Sequence, residues 1–277
     1  MKHIILIPVY NDLKSLNLLL TKIDKSLKKE IKILIINDAS TETISLKKNK
    51  LKKIKKIIIL TLSKNLGSQK AISVGLDYLK KNEKETYITI MDGDGEDDPT
   101  QLNKMMNLAE KNKDFVITSN RTTRNENLII QIGYKVHLII SFFFTWNWIS
   151  FGNFTSFYSN NLKKINLKKI WYAYPSAILN SCKIKKIFSK RKKRFFGNSK
   201  VNLIKLIEHS FRIIGVFSIR VIISSILLFI FFSIVIKNNL FLFLIIFFNL
   251  LIFYVKIKNL PDRNINYKNY LDSIKNF

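Results

Sequence analysis

The sequence contains a single cysteine, Cys182, so no internal disulfide bond can form and no metal cluster can be built on cysteine ligands. It also lacks the glycine-rich patterns GxGxxG and GxxxxGK[ST], which argues against Rossmann-type dinucleotide binding and P-loop chemistry. Acidic residues are scarce, with 19 Asp and Glu against 47 Lys and Arg, and the formal net charge is +28. Such an excess indicates a polyanionic partner: nucleic acid, an anionic membrane or a phosphorylated substrate.

No signal peptide is apparent at the N-terminus. A short apolar run, Ile4–Val9, follows Met1–His3 without a small-residue cleavage site, so we expect the catalytic part to stay in the cytoplasm. Lys, Ile and Asn are overused along the whole chain, and this compositional bias accounts for a large part of the charge. No motif for reading nucleic acid is present, so we expect no nucleic-acid partner.

The few acids concentrate in one stretch, Tyr87–Pro99, with the sequence YITIMDGDGEDDP. Its first residues are apolar and β-branched, which predicts a buried strand, and five acids follow within seven positions. Clustered carboxylates with intervening glycines are typical of a Mg²⁺ or Mn²⁺ site, whereas the alternative is a solvated turn that caps the next helix. Open α/β sheets bind ligands at the carboxyl ends of their strands, which favours the metal site. The acids are Asp92, Asp94, Glu96, Asp97 and Asp98.

Strands alternate with helices over the first 120 residues or so, which predicts a largely parallel α/β sheet with right-handed crossovers. Polar residues collect after the strands, at one edge of this sheet. Besides the acidic stretch, the predicted strands are His3–Val9, Ile31–Ile36, Ile57–Leu62 and Phe115–Ser119, and the predicted helices are Leu13–Leu27, Ser68–Lys81 and Thr100–Lys111.

The second half of the chain has the long apolar segments that are typical of a membrane protein. Gly215–Ile236 contains one charge and would be about 33 Å long as a helix, enough to cross a bilayer. Leu240–Val255 is a second apolar helix after a three-residue turn, and cations flank both outer ends, which places those ends in the cytoplasm. The segment Leu128–Phe151 is rich in aromatic residues, but its uninterrupted apolar part is too short to span a bilayer, so the segment fits either an interfacial helix or a core helix.

These features give a domain plan for a multi-pass protein of the inner membrane. We expect residues 1–212 to form the cytoplasmic catalytic domain, with a candidate interfacial helix over 127–151 and a basic membrane-proximal segment over 183–212. Two transmembrane helices occupy residues 213–257, and residues 258–277 form a cytoplasmic tail. Packing of the hairpin against a second copy would give a homo-oligomer.

Four strand-end signatures occur in the order seen in one enzyme family: IPVYND (7–12), INDAS (36–40), NLGSQKA (65–71) and MDGDGEDDP (91–99). This order resembles the family-2 glycosyltransferases, which have the GT-A fold. FGNF (151–154) and RFFGNSK (194–200), followed by two membrane helices, are similar to the dolichol- and polyprenyl-phosphate branch.

The resemblance implies a role for each matching position. Three groups would hold the nucleotide sugar, the metal and the lipid phosphate. The nucleotide-sugar group is Pro8, Tyr10, Asp38, Asn65, Gly67, Lys70, Asp92, Arg121 and Arg124; the metal group is Asp92, Asp94 and Glu96; the lipid-phosphate group is Arg194, Ser199 and Lys200. Glu96 stands where relatives usually have Gln, and the extra charge could tighten metal binding.

Asn153 departs from the pattern, because relatives often carry an Asp there that is a candidate catalytic base. An amide cannot take a proton, but a phosphate monoester acceptor is already an anion and needs little deprotonation. Asn153 therefore favours a lipid-phosphate acceptor, or else a base such as Asp97 or Asp98. Asp94, Asp97, Asp98 and Asn153 are the candidate catalytic positions.

The expected function is metal-assisted, inverting transfer of a sugar from a UDP- or GDP-linked donor to a polyprenyl phosphate at the cytoplasmic leaflet. The alternatives are the same donor chemistry on a hydroxyl of a lipid or cell-envelope saccharide, and a membrane scaffold that has kept the fold without turnover. The intact acidic stretch argues against the scaffold.

Overall fold

The computed structural model describes residues 1–46, 51–121, 128–197, 203–237 and 239–277. Within these ranges eight strands form one sheet in the order β7-β5-β6-β4-β1-β2-β3-β8. The strands are β1 His3–Val9, β2 Ile31–Asn37, β3 Ile54–Leu62, β4 Tyr87–Ile90, β5 Phe115–Arg121, β6 Phe151–Tyr158, β7 Lys183–Ser189 and β8 Leu271–Asn276.

The centre of the sheet is parallel, as expected for strands joined by helical crossovers. β1 pairs in parallel with β2 and β4, and β2 pairs in parallel with β3. β6 and β8 run antiparallel to their neighbours, so the sheet is mixed. The predicted α/β class and the five predicted strands are confirmed.

Helices cover both faces of the sheet, and the sheet separates two apolar cores, one on each face. All seven residues of β1 are buried, as a central strand between two helical layers requires. Gly75 allows one helix to lie close to the sheet, because a Cβ atom there would be 2.7 Å from Cδ1 of Leu6. The helices are α1 Leu13–Ser26, α2 Ser68–Asn82, α3 Leu102–Lys111, α4 Leu128–Thr145, α5 Leu167–Tyr172, α6 Tyr174–Ser181, α7 Leu203–Gly215, α8 Ser218–Phe231 and α9 Asn239–Lys258.

Three strands were not predicted from the sequence. β6 contains the FGNF motif and lies between β4 and β5, where its first residues reach the end of the acidic strand. β7 is formed by the first residues of the predicted basic membrane-proximal segment and pairs with β5. β8 lies in the C-terminal tail and pairs with β3, so the tail returns to the sheet after the apolar helices.

Two apolar helical stretches, Ser218–Val235 and Leu240–Lys258, are long enough to cross a membrane. Only 17% and 11% of these stretches are buried, so most of their apolar surface faces outwards. α4 packs against α7 and α8. Trp146, just after α4, donates from its indole N–H to Oγ of Ser224 on α8 at 2.9 Å.

Candidate active site

The carboxyl ends of β1, β2 and β4 meet at one edge of the sheet. The backbone N–H of Asp38 donates to the carbonyl of Val9 at 2.9 Å, which joins the ends of β1 and β2. The N–H of Met91 donates to the carbonyl of Leu6 at 3.1 Å, which joins the end of β4 to β1. The polar residues that follow these strands therefore share one cleft, where parallel sheets bind their ligands.

Asp38 is fixed by the loop that leads into α2. Its two carboxylate oxygens accept from the backbone N–H groups of Leu66 at 2.7 Å and Gly67 at 2.8 Å. Gly67 has a φ of +87°, a conformation that favours glycine, and forms the N-cap of α2. Burial raises the pKa of the Asp38 carboxyl, although both hydrogen bonds oppose the rise. The geometry presents a rigid carboxylate at the end of β2.

The acidic turn, residues 92–98, is organised by its own carboxylates. Oδ2 of Asp97 accepts from the backbone N–H of Asp92 at 3.0 Å, and Oδ1 of Asp94 accepts from the N–H of Glu96 at 3.0 Å. Asp98 caps the following 3₁₀ turn by accepting from the N–H of Thr100 at 3.1 Å. Asp97 and Asp98 thus hold the shape of the turn, and their role as bases stays a prediction.

A chain of buried amides holds Asp92. Nδ2 of Asn153 donates to Oδ1 of Asp92 at 2.9 Å, and Oδ1 of Asn153 accepts from Nε2 of Gln69 at 3.2 Å. Gln69 in turn accepts from the backbone N–H of Tyr174 at 2.6 Å. One end of the Asn153 amide therefore holds Asp92, and Gln69 fixes the other end.

Residues 190–197, which we call the basic loop, lie along the acidic turn. The backbone N–H of Lys192 donates to the carbonyl of Glu96 at 2.9 Å, and the N–H of Phe195 donates to the carbonyl of Asp94 at 3.1 Å. Gly95 makes this contact possible, because its φ is +85° and a Cβ there would collide with the Phe195 ring. The two segments are packed backbone to backbone.

Cationic side chains of the basic loop form ion pairs with carboxylates of the acidic turn and with Asp12. Arg191 contacts the carboxylate of Glu96. Arg194 reaches Oδ2 of Asp12 at 2.9 Å and lies 3.6 Å from Oδ2 of Asp94. Asp12 also caps α1. These ion pairs neutralise part of the charge that the acidic turn brings together.

The described residues contain no group of three Asp, Glu, His or Cys side chains arranged around one point that could hold a metal ion. Mg²⁺ is often bound by one or two carboxylates together with substrate phosphates and water, and Asp92 and Asp94 fit that pattern. Glu96 is engaged by Arg191. The three-residue metal assignment stays a prediction.

The remaining predicted residues divide into two groups. Pro8 lies in β1 beside the turn, and its carbonyl would be 3.1 Å from a Cβ at Gly93. Tyr10 and Asn65 are exposed at the same edge, and Lys70 lies in the first turn of α2. The side chain of Arg121 and the whole of Arg124, Ser199 and Lys200 fall outside the described residues.

Sequence reasoning did not assign three residues that the structure places in this site. Gln69 and Asp12 stood inside quoted motifs, NLGSQKA and IPVYND, so their position after a strand was the available signal. Arg191 stood in the predicted basic membrane-proximal segment, and the five acids of the acidic turn against the five cations of the basic loop offered a hint of pairing. None of the three could be paired with its partner from sequence spacing.

Comparison with known proteins identifies the family. Residues 4–171 match the model described as Glycosyl transferase family 2. No curated protein matches the chain. The glucosyl-3-phosphoglycerate synthase of Mycobacterium tuberculosis, solved with Mn²⁺, UDP and glucosyl-3-phosphoglycerate, is similar with a TM-score of 0.51 and 10% identity, over 79% of each chain. TarS residues 1–349 of S. aureus, solved with UDP-GlcNAc, gives 0.48 and 16%, over 86% of this chain and 75% of that one.

Proposed function

The chain belongs to glycosyl transferase family 2, and is a glycosyltransferase with the GT-A fold; we propose that it moves a sugar from a nucleotide-sugar donor to a polyprenyl phosphate at the cytoplasmic face of a membrane. The single observation that carries this proposal is the shared cleft at the ends of β1, β2 and β4. It places a rigid carboxylate, Asp38, and the acidic turn on either side of β1.

The donor would lie across these strand ends. Asp38 would accept from a ring N–H of the base, since each carboxylate oxygen keeps a lone pair beyond the one used by the loop. Pro8 and Tyr10 would flank the base at the end of β1. The diphosphate would then reach the acidic turn, and UDP or GDP both fit this description.

Asp92 and Asp94 would hold a divalent cation, Mg²⁺ or Mn²⁺, together with the diphosphate. When bound, such a cation neutralises charge on the diphosphate leaving group. The similar synthase was solved in complex with Mn²⁺ and UDP, and this supports the metal part of the proposal. Asn153 orients Asp92, and Arg194 lies close enough to Asp94 to add positive charge at the leaving group.

The arrangement of Asn153 supports a phosphate acceptor. Both ends of its amide are used by Asp92 and Gln69, and no proton can be taken there. A lipid phosphate is an anion at neutral pH and can attack the anomeric carbon from the face opposite the leaving group without a strong base. A hydroxyl acceptor would need a base beside its proton.

The apolar helices support a lipid acceptor. α8 and α9 would cross the membrane, with their outer ends on the cytoplasmic side. α4 exposes Val136, Ile139, Phe142 and Phe143 along its length, as a helix at the membrane interface does. The cleft would thus face a lipid acceptor held in the same leaflet.

The test is transfer of label from a panel of UDP- and GDP-linked sugars to undecaprenyl phosphate, with purified full-length protein and Mn²⁺ or Mg²⁺. The wild type and Asp114→Asn, an exposed control, should label the organic phase. Asp94→Asn should reduce the rate by a factor of about 100 or more, as expected when a charged group at the leaving group is removed. No labelling from any donor by the wild type would contradict the proposal.

A further inference from the structure

A buried chain of hydrogen bonds leads from the backbone of α6 to the acidic turn. It begins at the N–H of Tyr174, passes through the side chains of Gln69 on α2 and Asn153 on β6, and ends at Asp92. Gln69 and Asn153 are each 8% exposed, and Tyr174 is fully buried. Water has little access to these amides, so they depend on partners within the protein.

The direction of each hydrogen bond in this chain follows from its first member. A backbone N–H can only donate, so the Gln69 amide turns its oxygen to Tyr174, at 2.6 Å, and its NH₂ group to Asn153. Asn153 then accepts from Gln69 through Oδ1, at 3.2 Å, and its own NH₂ group faces Asp92, at 2.9 Å. The opposite orientation of either amide would place two donors or two acceptors against each other.

Gln69 is the second anchor of the Asn153 amide. The terminal torsion of an Asn side chain is broad, so an amide that is held at one end only can turn. The hydrogen bond from Gln69 holds the other end and keeps the NH₂ group on the side of Asp92. A fixed donor at one carboxylate oxygen also restricts the carboxylate, and groups that orient a metal ligand in this way contribute to metal affinity.

The elements that carry this chain are tied to each other. The Tyr174 hydroxyl lies 2.5 Å from Oγ1 of Thr155, two residues after Asn153 in β6. Tyr174 thus contacts β6 through its hydroxyl and Gln69 on α2 through its N–H, and α6 packs against both elements. Gln69 and Asn153 therefore stand on parts of the fold whose relative position is fixed.

The beginning of α2 supports both carboxylates of the cleft, but by different residues. The N–H of Gly67 donates to Asp38 at 2.8 Å. Gln69, two residues later, reaches Asp92 only through the Asn153 side chain. A change of the Gln69 side chain should therefore disturb Asp92 and leave the support of Asp38 in place.

We propose that Gln69 is a positioning residue for the cation site: it holds the Asn153 amide with its NH₂ group towards Asp92 and so prepares Asp92 to bind a divalent cation. This inference rests on the proposed function, in which Asp92 and Asp94 hold the cation together with the donor diphosphate. Gln69 acts through Asn153, because the hydrogen bond to Asp92 is made by Asn153.

The factor by which Mn²⁺ raises the affinity for a nucleoside diphosphate tests this role without turnover. Calorimetric titration of the full-length protein in detergent gives the affinity for UDP and for GDP, once with Mn²⁺ and once with EDTA. Gln69→Met nearly keeps the side-chain volume and removes both hydrogen bonds, so the Mn²⁺ factor should fall at least about tenfold. The affinity in EDTA should stay unchanged, because Gly67 still holds Asp38.

Two further variants separate this effect from a fault in folding. Asn82→Leu removes an exposed amide at the other end of α2 and is the matched control, which should equal the wild type with Mn²⁺ and with EDTA. Gln69→Asn keeps an amide that is too short to reach both Tyr174 and Asn153. It should show the same loss of the Mn²⁺ factor, and it carries the test if Gln69→Met does not fold.

A double-mutant cycle tests whether Gln69 acts through Asn153. Asn153→Ala should itself lower the Mn²⁺ factor at least about tenfold, and Gln69→Met should lower it no further in that background. Two losses that multiply in the double variant would show that Gln69 acts by another route and would overturn the inference. Equal losses with Mn²⁺ and with EDTA would leave Gln69 a folding role only and would overturn it as well.

The wild type distinguishes failure of this inference from failure of the proposed function. If Mn²⁺ raises the nucleotide affinity of the wild type and equally that of both Gln69 variants, the cation site stands and the positioning role of Gln69 is wrong. If the wild type binds neither nucleotide, or binds them no better with Mn²⁺, the metal part of the proposed function is wrong and the inference falls with it.

Discussion

Replacement of Asn153 by Asp tests whether this residue holds Asp92. The change places a second carboxylate where an N–H now donates to Asp92 at 2.9 Å, at a side chain that is 8% exposed. A hydrogen bond to a charged group contributes about 1.5–3 kcal/mol, and the two carboxylates would also repel each other. We therefore expect Asn153→Asp to lower the melting temperature by about 3–12 °C at pH 8.

The effect should depend on pH in a defined direction. Repulsion raises the pKa of one carboxyl of the pair in the folded state, so the folded protein keeps a proton that the unfolded chain releases. Stability relative to the wild type is then greatest below the unfolded pKa, about 4, and is lost as the pH rises through the folded value. The loss at pH 8 should exceed the loss at pH 5.

Thermal unfolding of the full-length protein at both pH values measures this. Asn166→Asp is the matched control, because Asn166 is an exposed N-cap whose side chain accepts from the N–H of Lys168, and Asp caps helices equally well. If Asn153→Asp melts at the temperature of the control at both pH values, the hydrogen bond to Asp92 contributes nothing and the positioning role of Asn153 is wrong.

Three further predictions concern the cleft and its surroundings. Gly95→Ala should cost about 1–3 kcal/mol, because its positive φ and the Phe195 ring exclude a Cβ, and chemical denaturation would refute this if its midpoint stayed unchanged. The affinity for UDP should fall as the pH falls through the raised pKa of Asp38, and Asp38→Asn should remove that pH dependence. If the wild type bound UDP equally tightly at pH 8 and at pH 5, this prediction would be wrong. Tyr174→Phe should cost about 1 kcal/mol by removing the hydroxyl contact with Oγ1 of Thr155 at 2.5 Å, and its effect should not add to that of Thr155→Val in unfolding experiments.

The parallel half of the fold could be predicted from the sequence because its signals are local. The β-branched runs of β1 to β4 are buried on both faces, and the helices between them show apolar residues at helical spacing. The position of the acidic turn could also be predicted, since its acids directly follow a strand. These features depend on neighbours along the chain.

β7 and β8 could not be predicted because their residues resemble exposed loops. β7 reads Lys-Ile-Lys-Lys-Ile-Phe-Ser, and β8 is largely exposed; both are edge strands held by backbone pairing with β5 and β3. Edge strands need little apolar sequence, and charged side chains protect them from pairing with other molecules. Their position becomes visible only when the sheet is assembled.

The contacts within the site could not be predicted either, because they join residues that are far apart along the chain. Asn153 and Asp92 are 61 residues apart, and Arg194 and Asp12 are 182 residues apart. The sequence identified most of these residues by resemblance but treated Asn153 as a missing base. In the structure Asn153 donates to Asp92 and accepts from Gln69, to which no role was assigned, and we predict a positioning role for it.

The acceptor is the central claim, and one comparison tests it most directly. Wild-type protein, a labelled donor and Mn²⁺ are supplied with undecaprenyl phosphate or with undecaprenol, and label in the organic phase is measured for each lipid. We expect transfer to the phosphate at a rate at least about 100-fold above transfer to the alcohol, because the Asn153 amide cannot take a proton from a hydroxyl, whereas a phosphate monoester is already an anion. Equal or faster transfer to undecaprenol would contradict the proposed acceptor.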